Sequence, residues 1–133
     1  MKIGISRAAF DQIVAHAVQN PAEEVCGLLL GRVGSIETVL PAANIALDRA
    51  RKFELDPAVL LQAHRAARGD GPAVLGHYHS HPTGRAEPSV ADADAAEPGL
   101  FWLILGGDGA RLFVARQDGP IHGRFVALDY DLR

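Results

Sequence analysis

The chain has 133 residues, 48% of them hydrophobic, and a net charge of -3, which fits one compact domain with a real core and gives no electrostatic preference for nucleic acid. The start, MKIGISRAAF, has no apolar run of signal-peptide length, and no segment reaches the roughly 20 apolar residues that span a bilayer, so a cytoplasmic location without membrane attachment is expected. Cys26 is the only cysteine, which rules out an internal disulfide and a four-thiolate zinc site, so any zinc must use nitrogen and oxygen ligands.

In chain order, residues 2–5 predict a first strand, and Ser6 can cap a helix over 7–19, where Phe10, Ile13, Val14 and Ala17 recur at helical spacing. Asn20-Pro21 ends it. Residues 25–31 form a nearly unbroken apolar run that reads as a strand covered on both faces, and Gly34-Ser35 turns the chain into a strand over 36–40. A polar loop over 44–52 precedes Asp56-Pro57, an N-cap and N1 pair opening a helix to about residue 68. Gly69-Asp70-Gly71-Pro72 stops that helix. The spacing then predicts a strand over 73–81, a helix over 89–97 and a buried strand over 100–105. Gly106-Gly107-Asp108-Gly109 reads as a hairpin turn into 110–116, and a last strand occupies 123–129. The expected fold class is α/β: a mixed β-sheet flanked by helices, one domain over 1–133, with strand order left open.

Chemistry concentrates in Gly76-His77-Tyr78-His79-Ser80-His81-Pro82. Residues two apart on a strand face the same side, so His79 and His81 can offer their imidazoles to one ion. Ten residues containing Pro82, Gly84 and Pro88 separate His81 from Asp92 and can turn the chain back over the strand end. Ser89 and Asp92 also read as a capping box, which would hold Asp92 in place. Asp94, two residues further along the helix, points about 200° away around the axis and is rejected as a ligand. His77 shares the parity of His79 and His81, so the pattern permits a third His ligand. Adjacent acids Glu23 and Glu24 both stand near the apolar strand, and alternation places Glu24 on the face of Cys26 and Leu28. Cys26 itself reads as core, and His16, His64 and His122 as surface or interface residues. One cysteine cannot supply the Pro-Cys-x-x-Cys pair of zinc deaminases, and the chain has no His-Glu-x-x-His.

His79-x-His81, ten residues, Asp92, with Ser89 three before the Asp and Glu24-x-x-Gly27 upstream, resembles the active-site signature of the JAMM (MPN+) metalloproteases. Residues 21–31 look like that family's second strand, and Arg51-Lys52-Phe53-Glu54-Leu55-Asp56-Pro57 is similar to a segment of its small, stand-alone bacterial members. The resemblance extends to about Ala115.

It implies the JAB1/MPN fold, which is cytidine-deaminase-like, and one catalytic Zn2+ held by His79, His81 and Asp92. Glu24 would be general base and then acid, and Ser89 an oxyanion donor. Glu24 rather than Glu23 fits the family spacing, and the bulky aromatic usual at position 77 favours packing or substrate contact for His77. The implied reaction is hydrolysis of an amide or isopeptide bond at the Gly-Gly tail of a ubiquitin-like or sulfur-carrier protein, with the tail pairing along an exposed strand edge. Neither nucleic acid nor membrane is expected as a partner; a homodimer is allowed for. The rival readings are a general small-peptide or phage-tail-associated peptidase and a non-catalytic zinc-binding scaffold.

Overall fold

The computed structural model describes residues 2–133, among which the chain forms seven strands and three helices; Met1, part of the expected domain 1–133, lies outside the described residues. β1 (Lys2–Ile5) runs into α1 (Arg7–Gln19), which starts where Ser6, in extended backbone, accepts a hydrogen bond from Ala9 N at 3.1 Å. β2 (Cys26–Arg32) and β3 (Ser35–Ala42) form a hairpin through Gly34, whose φ of 79° suits a residue without Cβ. α2 (Pro57–Arg68) opens with Asp56 accepting from Ala58 N at 3.0 Å and Pro57 in its first turn. β4 (Ala73–Ser80), α3 (Val90–Ala95), β5 (Phe101–Gly106), β6 (Gly109–Gly119) and β7 (Gly123–Leu132) complete the chain.

The strands lie in the order β1-β3-β2-β4-β5-β6-β7, and β1 also pairs in parallel with β7, so the mixed sheet closes on itself. Closure carries β7 three residues past its predicted end, because Tyr130 to Leu132 pair with Ile3 to Ile5 and Tyr130 and Leu132 pack on the core. β4 is central, antiparallel to β2 and parallel to β5, and both its edges are occupied. The histidine-bearing strand therefore has no free edge for a tail. α3 is shorter than expected: Ala96 already has extended backbone (ψ 129°), two residues before Pro98.

Alternation along β5 shows how the layers are built. Leu103 and Leu105 face the core under α1, with Ile13, Leu29 and Tyr78, whereas Trp102 and Ile104 face a second cluster with Ala93, Phe113 and Phe125. A strand covered on both faces must be apolar throughout, which is why Phe101-Trp102-Leu103-Ile104-Leu105 shows no polar alternation. Among the described residues no helix is long and apolar enough to cross a membrane.

Candidate active site

Pairing register brings the upstream acid to the histidines. Cys26 stands opposite His79, and Ser80 N donates to Val25 O at 3.1 Å, so the antiparallel register carries Glu24 opposite His81. Glu24 precedes β2, and three contacts fix its backbone. Its N–H donates to Arg49 O at 2.7 Å, Asn44 Nδ2 donates to its carbonyl at 2.8 Å, and Ser80 Oγ accepts from the next amide, Val25 N, at 2.9 Å. The pairing also explains Gly27. A Cβ there would lie 2.6 Å from Cζ and Oη of Tyr78, whose buried ring crosses beneath it and whose hydroxyl sits 2.7 Å from His16 Nδ1.

His79, the penultimate residue of β4, is fully buried, while His81 lies one residue beyond β4, held by its amide donating to Leu105 O at 2.7 Å. Their Nε2 atoms are 3.0 Å apart. Asp92 Oδ2 is 3.3 Å from each of them. A tetrahedral zinc with ligand bonds of about 2.0–2.1 Å requires donor–donor edges of about 3.3 Å, so this triangle has the dimensions of one tetrahedral face. Two neutral imidazoles and one carboxylate also suit zinc chemically, and these residues fit the ion.

The donors are held in orientation. His81 Nδ1–H donates to Arg85 O at 2.8 Å, which leaves Nε2 as the free donor atom. Asp92 Oδ2 accepts from Ser89 N at 2.9 Å while Ser89 Oγ accepts from Asp92 N at 3.0 Å, so the capping box expected from the sequence orients the carboxylate. His79 is held by packing instead: Phe53 stacks on it with centroids 4.3 Å apart at 19°. Its Nδ1 is buried without a partner among the described residues.

A carboxylate oxygen of Glu24 lies within 4.8 Å of the two histidine nitrogens, and the three residues form a group able to hold a metal ion. Glu23 points elsewhere, 3.3 Å from Arg49 and half-exposed. Burial pushes Glu24 up to about 7, with the charge of Asp92 adding and that of His81 opposing. Burial works in the same direction on Asp92, but hydrogen bonds to His79 and His81 outweigh it and hold that carboxyl well below the usual range. For His81, burial is likewise outweighed by its hydrogen bonds to Asp92 and Arg85, and its pKa rises; for fully buried His79, burial prevails and its pKa falls.

Other candidates separate cleanly. His77 belongs to an aromatic cluster, 4.2 Å between centroids from Trp102 and 5.5 Å from Phe53, and burial followed by the charge of His79 lowers its pKa to about 3. It stands outside the metal-binding group. Cys26 is buried, and burial followed by the charge of Glu24 pushes its thiol up to about 12, which makes it inert. Asp94 is exposed, unlike buried Asp92, and makes no hydrogen bond or ion pair with His79 or His81 among the described residues. Two of the histidines expected to be surface or interface residues have specific partners: His16 holds Tyr78, and His122 Nε2–H donates to Pro88 O at 3.0 Å. Asn44, Ser80 and Phe53 also support the site and are not among the residues expected from the sequence. Of these, only Phe53 carried a signal, through the segment 51–57.

A groove of about 740 Å³ runs from Asp92 between α2 and α3, with Phe53, His77 and Trp102 among its lining and Leu55 and Leu60 beside them. Alongside it, Glu54 uses both backbone groups on the 43–46 segment, its N–H to Asn44 Oδ1 at 3.0 Å and its carbonyl to Ile45 N at 2.9 Å. The alternate backbone groups, of Phe53 and Leu55, make no hydrogen bond among the described residues.

Residues 6–118 match the family described as prokaryotic homologs of the JAB domain. The chain is 34% identical over 124 residues to a probable TtuB-protein conjugate cleaving protease of Thermus thermophilus, covering 93% of this chain and 80% of that one. It is 32% identical over 115 residues to a desampylase of Haloferax volcanii, covering 81% and 83%. A protein from Desulfitobacterium hafniense, solved in solution, superposes with a TM-score of 0.83 at 28% identity, covering 98% of this chain and 92% of that one. The closed mixed sheet, the histidine pair at the end of its central strand and this match along most of the sequence have one meaning: the chain belongs to the prokaryotic JAB family.

Proposed function

We propose that residues 1–133 act as one zinc metallopeptidase domain, working in the cytoplasm, that hydrolyses an amide or isopeptide bond at the C-terminal Gly-Gly tail of a ubiquitin-like or sulfur-carrier protein. The observation that carries this reading is the triangle of His79, His81 and Asp92, with edges of 3.0 and 3.3 Å and Glu24 beside it. Zinc held by those three residues supplies Lewis acidity, acidifying water and polarising a carbonyl.

Glu24 supplies the proton traffic. A carboxylate whose pKa burial brings to about 7 can take a proton from the attacking water near neutral pH and return it to the leaving amine. Its backbone is anchored by Arg49, Asn44 and Ser80, so the main chain that carries the carboxylate is fixed beside the histidines. Ser89 Oγ spends a lone pair on Asp92 N and keeps its hydrogen free to donate to the developing oxyanion; losing such a donor typically costs about 2.7–4 kcal/mol of barrier.

The groove supports an extended tail as substrate. Phe53 and Leu55 offer unpaired backbone groups along it, which replace the free edge that β4 lacks, and a tail ending in glycines can bring its backbone close to Asp92. Conjugate cleavage, named for the relative from T. thermophilus, is the activity this arrangement suits. Variants test the assignment: His79→Ala, His81→Ala and Asp92→Ala should each lose bound zinc and hydrolysis together, whereas Glu24→Gln should keep zinc and lose hydrolysis. Undiminished turnover by Glu24→Gln would remove Glu24 as the base. Cleavage of short unstructured peptides as fast as of a folded carrier would favour a general peptidase.

A further inference from the structure

The loop from His81 to Ser89 is gripped from outside the elements that carry the ligands. At the β5–β6 turn, Gly107 N donates to Gly84 O at 2.9 Å and Asp108 Oδ1 accepts from Ala86 N at 2.7 Å. Asp108 Oδ2 also faces Arg85 Nε at 3.5 Å. Gly106 allows the approach, since a Cβ there would overlap the backbone of Arg85 and Ala86.

One peptide unit links these contacts to the metal ligands. The Ala86 N–H taken by Asp108 and the Arg85 C=O taken by His81 Nδ1–H, at 2.8 Å, belong to the same planar amide, in which N–H and C=O point opposite ways. Rotating that plane would break both bonds at once. A carboxylate accepting from the N–H also polarises the amide and strengthens its carbonyl as an acceptor.

We propose that Asp108, at the β5–β6 turn, is a positioning residue for metal binding: it locks the Arg85–Ala86 peptide so that the Arg85 carbonyl holds His81 Nδ1–H and aims Nε2 at the metal. The carbonyl is the outer partner that a metal-ligating histidine needs to fix its tautomer and ring plane. Asp108 acts one bond further out, through backbone, from a position 22 residues from Ala86 in sequence. This proposal rests on the zinc site described above.

The test is zinc affinity, measured by competition with a chelator, in Asp108→Ala, Asp108→Asn and Arg85→Ala. Loss of an outer partner typically weakens metal binding about 10–100-fold, and Asp108→Ala, being more remote, should fall near about tenfold. Asp108→Asn keeps the acceptor oxygen and Arg85→Ala keeps the carbonyl, so both should bind zinc nearly as tightly as the unmutated protein. In the zinc-loaded protein, the His81 Nδ1 proton should exchange slowly with solvent by NMR and faster in Asp108→Ala, a change that a merely structural role would not produce. Should Asp108→Ala not fold, Asp108→Glu displaces the same oxygen and should show the same loss. Unchanged affinity and unchanged Nδ1 protection in the folded variant would overturn the proposal, as would an Asn variant as weak as the Ala variant. Failure of the unmutated protein to bind zinc would overturn both this proposal and the site itself.

Discussion

Asn44→Ala tests how far the proposed base, Glu24, depends on a residue that does no chemistry. The Asn44 amide donates to Glu24 O at 2.8 Å and Lys52 O at 2.9 Å, and accepts from Ala46 N and Glu54 N, each at 3.0 Å. Both its amide hydrogens and its carbonyl are in use. The bonds to Lys52 and Glu54 are exposed, and water can replace them; those to Glu24 and Ala46 are part-buried and leave backbone groups poorly solvated. At about 0.5–1.5 kcal/mol per net bond and more for a buried group left unpaired, the loss should be about 2–3 kcal/mol. For a domain of this size that corresponds to a fall in Tm of roughly 5–10 °C. Urea unfolding and zinc content measured together give the assay: stability and kcat should fall while zinc stays bound, because none of its three proposed ligands touches Asn44. A stability change below about 0.5 kcal/mol with kcat unchanged would refute the reasoning, since it would mean that these bonds are made equally well to water.

Gly27→Ala forces a Cβ against the buried Tyr78 ring and should cost about 1–3 kcal/mol in urea unfolding, so an unchanged midpoint would contradict the packing described. His16 has its pKa lowered by burial; the folded state therefore binds fewer protons than the unfolded one below about pH 6.5, and stability should fall as pH drops through that value. In His16→Gln the part of that slope due to His16 should vanish, and an identical pH dependence of stability in both proteins would sink the assignment. His77→Ala should retain one zinc per chain while losing packing on Phe53 and Trp102; loss of the metal would make His77 a ligand after all.

What could be read from sequence was local. Ser6, Asp56 and Ser89 cap their helices through partners two or three residues away, and the period of two in His79 and His81 sets their common face without reference to the rest of the chain. What could not be read depends on distant partners. Ser80 sits between the histidines at the opposite parity and reveals its use only when Val25, 55 residues away in sequence, is paired beside it. Asn44 looks like any loop asparagine until the Glu24 carbonyl is placed against it. Closure of the sheet rests on β1 and β7, at opposite ends of the chain, and so β7 ran past the point where its own alternation faded. Phe53 falls between these cases: its segment carried a family resemblance, but its stacking on His79 follows from the path of the 44–55 loop.

Tail-directed hydrolysis is tested most directly by intact mass spectrometry of a Gly-Gly-tailed sulfur carrier bearing a C-terminal cysteine or short extension, incubated with the zinc-loaded protein and with Glu24→Gln. The unmutated protein should remove the adduct after the second glycine, leaving the carrier with a free Gly-Gly end, and zinc-loaded Glu24→Gln should leave it intact. An adduct that survives the zinc-loaded, unmutated protein would contradict the reading of this site as a tail-directed peptidase.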